Sequence, residues 1–352
     1  MISNPLYLED IEYIASRKIA WDKLKNSTIM ISGAGGLIGS LVIDAIMYKN
    51  KQEGLNCTVL ALGRSKERAK EKFSSYWELD TFSFIEQDIN KPLDNEKTPK
   101  ADYIVHLASN THPLQYSTDP IGTINTNIIG TANLLEFASY SSSKRVLFAS
   151  SNEIYGENRG DVELFDEHYC GYIDSNTLRA GYPESKRCGE AMCQAYIKQK
   201  GLDVVIARLT RSYGPTMLMS DSKAISQFIK KGIAGENIVL KSEGNQYYSY
   251  TYVSDAVCGL LTVLLNGECG QAYNIADQKS DIRLKDLAKI ISDFSGTKVV
   301  FELPDETERA GYSTATVARL DGSKIRKIGW EAKYDIKSGL ERTLSILKAQ
   351  QN

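Results

Sequence analysis

The short apolar run Thr28-Ile29-Met30-Ile31-Ser32 breaks into Gly33-Ala34-Gly35-Gly36-Leu37-Ile38-Gly39, and Ser40 to Lys49 then follow a helical pattern. Few folds accommodate that succession. Apolar and β-branched residues favour extended chain, while glycines at 33, 36 and 39 permit a turn too tight for side chains. A helix opening at such a turn exposes its first N–H groups, and these, with the helix dipole, attract a pyrophosphate. A second apolar run, Cys57 to Leu62, follows at the spacing of a βαβ unit. The pattern predicts an α/β protein with a doubly wound parallel sheet of the Rossmann-like kind. Gly33, Gly36, Leu37, Ile38 and Gly39 are its expected dinucleotide-binding residues.

The second run ends in Ala61-Leu62-Gly63-Arg64-Ser65. An acidic residue at that tip would hold ribose hydroxyls and favour NAD, whereas an arginine pairs with a 2′-phosphate. This chain has no acid there and offers Arg64 instead, so NADP stays open beside NAD as the cofactor. Further strands are expected at Phe84–Ile89, bringing Asp88 and Ile89 to the adenine, and at Tyr103–Ala108, bringing Leu107, Ala108 and Ser109 to the cofactor. A helix from about 126 to 140 carries Asn127, and the run Arg145–Ser150 places Ser150 at the cofactor with Ser151 and Glu153 just beyond it. In such sheets ligands bind outside the carboxyl ends of the strands.

Two stretches supply chemistry: Ser150-Ser151-Asn152-Glu153-Ile154-Tyr155-Gly156 and Tyr182-Pro183-Glu184-Ser185-Lys186. On a helix, Tyr182 and Lys186 share a face. The ammonium is expected to stabilise the phenolate, so that a group with an ordinary pKa near ~10 acts as a base closer to neutrality. Lysines and arginines number 42 against 44 acidic residues, a net charge of −2 with no basic footprint for nucleic acid or a membrane surface. No run approaches the ~18 apolar residues of a membrane span and no signal-peptide core opens the chain; a cytoplasmic protein is expected. The six cysteines, Cys57, Cys170, Cys188, Cys193, Cys258 and Cys269, contain no Cys-x-x-Cys pair, and His106, His112 and His168 are scattered. Small buried thiols are expected, with no metal site and no disulfide framework.

The glycine turn, Ser-x-Glu-x-Tyr-Gly and Tyr-x-x-x-Lys together make the chain resemble the extended short-chain dehydrogenase/reductases, the NAD-dependent nucleotide-sugar epimerases, dehydratases and decarboxylases. The likeness runs from about residue 27 to 345. Within it, His112-Pro113 through Tyr116, Asp119-Pro120, Asn125 to Thr131, Glu167 to Gly171, Arg179 to Arg187, Tyr213-Gly214-Pro215, Gln227-Phe228-Ile229, Tyr252 to Asp255 and Gly329-Trp330 look most like UDP-glucuronate decarboxylases. The resemblance implies that Tyr182 takes a proton from the sugar 4-hydroxyl, that Lys186 lowers its pKa and holds the nicotinamide ribose, and that Ser151 hydrogen-bonds the reacting hydroxyl. It implies a 4-keto sugar from which a C5 carboxylate, a C6 hydroxyl or a returned hydride gives decarboxylation, 4,6-dehydration or 4-epimerisation. Glu153 is the discriminating catalytic residue, and Asn152, where dehydratases often carry Asp, has no proton to give. Arg179 is a candidate for holding a substrate carboxylate or the sugar hydroxyls.

The pattern breaks at three places. Arg211 stands where relatives usually have Asn, Thr216 where they have Arg, and Tyr248 where they commonly place a diphosphate-binding Arg. Arg211, Lys223 or Arg319 is expected to compensate, or the substrate is unusual. Substrate binding is thus assigned to Asn152, Arg179, Arg211 and Tyr248. The expected organisation is a helical extension at 1–26, in which Leu8, Ile11, Ile14 and Ala15 form one apolar face, and a dinucleotide-binding domain at 27–210. Residues 211–352 form a smaller, mainly substrate-binding region, and segments near 250–275 return to the first domain. The family likeness implies a homodimer through the helices at 126–140 and 182–200. A binding scaffold that kept the fold and lost catalysis is the alternative of another class, opposed by the intact Ser151, Tyr182 and Lys186.

Overall fold

The computed structural model describes residues 2–111, 113–302 and 315–351; His112, named in the family likeness, lies outside them. The strands, in chain order, are β1 (Thr28–Ser32), β2 (Thr58–Gly63), β3 (Phe82–Glu86), β4 (Tyr103–His106), β5 (Arg145–Ser151), β6 (Val204–Leu209), β7 (Arg211–Tyr213), β8 (Ile238–Leu240), β9 (Tyr247–Tyr252), β10 (Ala272–Ile275), β11 (Asp281–Arg283), β12 (Val299–Phe301) and β13 (Val317–Ala318). Seven of them form one sheet in the order β10-β6-β5-β4-β1-β2-β3, paired in parallel throughout. The chain runs outward from β1 to β3 and then restarts beside β1 with β4. Between those two strands a crevice opens at the carboxyl edge.

Strand alternation sorts the core into two faces. Ile29, Ile31, Val59, Ala61, Val105, Leu147, Val205 and Ala207 belong to one cluster, with the helices Pro5–Ala15, Leu37–Glu53 and Val253–Asn266. Met30, Leu60, Leu62, Ile104, Val146, Phe148, Val204 and Ile206 belong to the other, with Pro120–Ser141 and Gly181–Lys200. Helices cover both faces, which is the doubly wound arrangement expected.

The smaller sheet has β9 at its centre, parallel to β7 and β13 and antiparallel to β11, while β8 and β12 pair separately. Of the two short segments expected to return, Ala272–Ile275 is the edge strand of the main sheet. Tyr250–Val253 instead falls in β9 and the first residue of the next helix, and among the described residues β9 pairs only with strands of the smaller sheet. The helix Val253–Asn266, buried on nearly every side, carries the chain back between the two sheets.

The N-terminal helix buries Tyr7, Asp10, Ile11, Ile14 and Ala15; Leu8 lies off that face and Tyr7 takes its place. Among the cysteines, Cys57, Cys193 and Cys258 are buried, whereas Cys170 and Cys269 are exposed, correcting the expectation for those two. Asp10 ties three distant segments together. Its carboxylate accepts from Tyr252 Oη at 2.6 Å and from Arg342 Nε at 2.8 Å, the latter on the C-terminal helix Ile336–Ala349. Burial pushes the Asp10 pKa up, and the bonds from Tyr252 and Arg342 pull it back. Removing one member of a buried pair leaves the other uncompensated, at a cost of about 3–5 kcal/mol. Arg342→Ala is expected to lower stability by roughly that amount, read as a fall in the urea midpoint; Arg342→Lys should recover part of it.

Candidate active site

A cavity of about 940 Å³ opens at the carboxyl edge of the main sheet, between it and the smaller sheet. The glycine turn forms its floor. Gly33 has φ of +71°, and a Cβ there would lie 2.8 Å from the Ala108 nitrogen; a Cβ at Gly39 would lie 2.4 Å from the Gly33 carbonyl oxygen. Around Gly35 there is open space. The helix Leu37–Glu53 starts from this turn, so its unpaired N–H groups face the cavity. A bare backbone cradle against a helix N-terminus fits the pyrophosphate of a dinucleotide.

Gly33, Gly36, Leu37, Ile38, Gly39, Arg64, Asp88, Ile89, Leu107, Ala108, Ser109 and Ser150 all line this cavity. Asn127 does not. It is fully buried behind the wall, accepting from Ser109 Oγ at 2.7 Å and donating to Ser185 Oγ at 2.9 Å, so it positions the two serines. Arg64 is exposed at the end of β2, with Arg68 and Lys72 lining the same end.

The chemical residues meet at the centre. Ser151, Asn152, Glu153, Arg179, Tyr182, Lys186, Arg211 and Tyr248 all line the cavity. The 3-10 turn Asn152–Tyr155 continues directly from β5, and the Glu153 N–H donates to Ser151 Oγ at 3.2 Å. The Glu153 carboxylate is gripped by Arg179 Nη2 at 2.6 Å. Arg179 also lies over the ring of Tyr116, at 4.7 Å from its centroid, and Tyr116 in turn stacks on Tyr182 at 4.8 Å. Tyr116 was not singled out by sequence reasoning as a site residue; it sits within a segment of family likeness, but nothing local announces a stack on Tyr182.

Lys186 Nζ donates to the Ala149 carbonyl oxygen at 2.9 Å. Burial and then the charge of Glu153 push the Tyr182 pKa up, only partly offset by hydrogen bonds from Ser151 and Tyr116 and by the charge of Arg179. Burial also brings Lys186 down to about 8, against the pull of Glu190.

The three proposed compensating cations part company. Arg211 lies face-on against Tyr248, 3.5 Å from the ring centroid, and Lys223 lines the cavity beside Asp221. Arg319 is spent on Asp281 at 2.8 Å and Glu163 at 3.0 Å, away from the cavity. Tyr248 itself is anchored by donating to the Ala315 carbonyl oxygen at 2.6 Å. Thr216 donates to the Leu37 carbonyl oxygen at 2.6 Å, tying the smaller region to the first turn of the cofactor helix.

A glycine-floored cavity beside a Ser-Tyr-Lys set defines a nicotinamide-dependent oxidoreductase-type site. The chain belongs to the NAD dependent epimerase/dehydratase family, whose model matches residues 29–276. It is 32% identical to UDP-glucuronic acid decarboxylase 1 of Xenopus tropicalis, over 92% of this chain and 72% of that protein. It is 30% identical to UDP-glucuronic acid decarboxylase 3 of Arabidopsis thaliana, over 90% of this chain and 87% of that one. In fold it is similar to dTDP-glucose 4,6-dehydratase of Streptomyces venezuelae, solved with NAD bound, at a TM-score of 0.77 and 24% identity over 92% of this chain and 98% of that one.

Among the described residues no group of His, Cys, Asp and Glu is placed to hold a metal ion, and no helix is long and apolar enough to cross a membrane. Gly33→Ala is expected to weaken NAD binding at least tenfold, since the new Cβ meets backbone that cannot yield and strains a left-handed residue by about 1–3 kcal/mol. Fluorescence titration with NAD, with a melting curve as control, measures it.

Proposed function

We propose that this protein is an NAD-dependent UDP-glucuronate decarboxylase, acting as a cytoplasmic homodimer. Residues 27–210 hold the dinucleotide, and residues 211–352 mainly cover the substrate. The observation that carries the reading is the Glu153–Arg179 pair beside Tyr182, with Asn152 where an acid would be needed to expel water. Relatives at 32% and 30% identity that span most of the chain are UDP-glucuronic acid decarboxylases, which supports the same choice.

When bound, NAD supplies the hydride acceptor and later donor, and in its oxidised form a positive charge near the reacting hydroxyl. Tyr182 Oη takes the proton of the sugar 4-hydroxyl, and Ser151 Oγ holds the same oxygen. Once C4 is a ketone, the carboxylate on C5 lies β to it. The C5–carboxylate bond breaks, carbon dioxide leaves, and the bonding pair passes to the ketone oxygen, where Ser151 and Tyr182 stabilise the enolate. Protonation at C5, return of the hydride to C4 and return of the Tyr182 proton to the C4 oxygen complete a UDP-pentose. Glu153, held by Arg179, faces the ring carbons. Lys186 keeps a positive charge under the site and, on the family pattern, holds the nicotinamide ribose. Gly33, Gly36, Leu37, Ile38, Gly39, Leu107, Ala108, Ser109 and Ser150 hold the dinucleotide, with Asp88 and Ile89 at the adenine and Arg64 beside its ribose.

Incubation of the protein with UDP-glucuronate and NAD should release carbon dioxide and UDP-pentose in equal amounts, followed by mass spectrometry. A 4-keto-6-deoxy product from a neutral nucleotide hexose, without carbon dioxide from UDP-glucuronate, would transfer the protein to the dehydratases. Tyr182→Phe should reduce turnover by at least ~100-fold while NAD still binds. A lysine whose folded pKa is lowered to about 8 is charged below that pH and loses its charge as the pH rises through it. Activity is therefore expected to fall on the alkaline side near pH 8. Since Glu190 raises that pKa, Glu190→Gln should move the limb to lower pH, and a limb that stays in place belongs to another group.

A further inference from the structure

Arg211 and Arg179 share an unusual condition. Each has a buried guanidinium nitrogen without a hydrogen-bond acceptor, Nη1 of Arg211 and Nε of Arg179. Both side chains line the main cavity and a smaller one of about 270 Å³ that adjoins it behind Glu153. The pairing of β7 with β9 sets Arg211 opposite Tyr250, and strand alternation puts Tyr248 on the same face, where its ring supports the guanidinium.

The charges around this point do not balance. Glu153 carries one negative charge and is engaged by Arg179. The other rings that complete the wall, Tyr116, Tyr248 and Tyr250, have pKa values pushed up by burial and are neutral. Lys223 has Asp221 as its partner, and Lys186 has Glu190 nearby. Arg211 has no carboxylate partner among the described residues. A half-buried guanidinium without a carboxylate partner among the described residues, and with one buried N–H lacking an acceptor, is completed when a ligand supplies the anion.

We infer that Arg211, braced on Tyr248 and working beside Arg179, is the residue that selects a sugar bearing a carboxylate over the neutral sugar of the same nucleotide. The inference rests on the proposed uronate substrate and adds the specificity-determining group. A planar fork matches a carboxylate with two parallel hydrogen bonds, which a lysine cannot copy. The position favours the sugar carboxylate over the diphosphate, because Arg211 lines the smaller cavity together with Asn152, Glu153 and Arg179, at the reacting end. Lys231 and Lys241 line the part of the cavity formed by the smaller region, each beside a carboxylate, Glu236 and Glu302. Because the carboxylate it holds leaves as neutral carbon dioxide, the interaction belongs to the bound substrate more than to the transition state. Arg211 therefore acts on KM more than on kcat.

The test is calorimetric titration of Tyr182→Phe and of Tyr182→Phe/Arg211→Gln, both saturated with NAD, with UDP-glucuronate and with UDP-glucose. Loss of one charge-assisted contact predicts about ten- to hundredfold weaker binding of UDP-glucuronate and unchanged binding of UDP-glucose. Arg211→Lys, keeping the charge without the fork, should recover part of the loss, and a melting curve for each variant reports its folding. Equal weakening of both ligands would put Arg211 on the diphosphate and overturn the inference. Unchanged affinities, or no preference for UDP-glucuronate in the Tyr182→Phe protein, would overturn it as well. The parent reading fails differently: preference for UDP-glucuronate that depends on Arg211, without carbon dioxide from the unmodified protein, removes decarboxylation and leaves the selecting residue in place.

Discussion

The close approach of backbone to backbone at Gly33 is the constraint on which the rest of the site depends. β1 and β4 are neighbours in the sheet but lie far apart in the chain, and the turns leaving them must diverge to opposite faces. At Gly33 the first turn passes so near Leu107 and Ala108 that a methyl group would collide with main chain. That contact fixes where the helix Leu37–Glu53 begins, and so where its unpaired N–H groups point. It also fixes the height of β4, and so of β5 paired beside it, whose last residue is Ser151 and which leads into the turn that carries Glu153. A shift of the turn would move both halves of the site at once.

The second determinant is electrostatic and lies in the wall opposite. Burial raises the pKa of every phenol lining the reacting end, Tyr182 included, and lowers that of Lys186. Within that dry wall the fixed charges are few. The Glu153–Arg179 pair is one, and Arg211 laid against Tyr248 is another. An apolar aromatic wall makes each of them count for more than it would in water. This is the physical sense in which Tyr248, standing where an arginine is usual, changes the site without emptying it: the cation is carried by the neighbouring strand, and the ring supports it.

Much of the fold was legible along the chain because it rests on local patterns. Alternation in runs such as Met30 between Ile29 and Ile31 announces a strand buried on both faces. The spacing of Gly33, Gly36 and Gly39 announces the turn, and Tyr182 and Lys186 four apart on a helix share a face whatever lies beyond. What could not be read were relations between segments. Asn127 looked like a cofactor ligand and is instead a brace for Ser109 and Ser185. Leu8 kept the helical period but lost its place to Tyr7, whose hydroxyl finds Asp44 at 2.5 Å. Tyr250 has the residue type of a strand, but which sheet it joins depends on Arg211–Tyr213 lying beside it.

The sequence alone determined that this chain makes a doubly wound parallel sheet with a nucleotide on its glycine turn and a Ser-Tyr-Lys set beside it. Propensity, alternation and turn chemistry act within a few residues, and they are written in order. Only the tertiary structure decided that Lys186 turns to Ala149, that Glu153 is paired to Arg179 over Tyr116, and that Arg211 is left with a buried N–H and no carboxylate partner among the described residues. Burial and the distance between charges are set by segments that meet only when the sheet closes on its helices, and those two quantities govern the chemistry of the site.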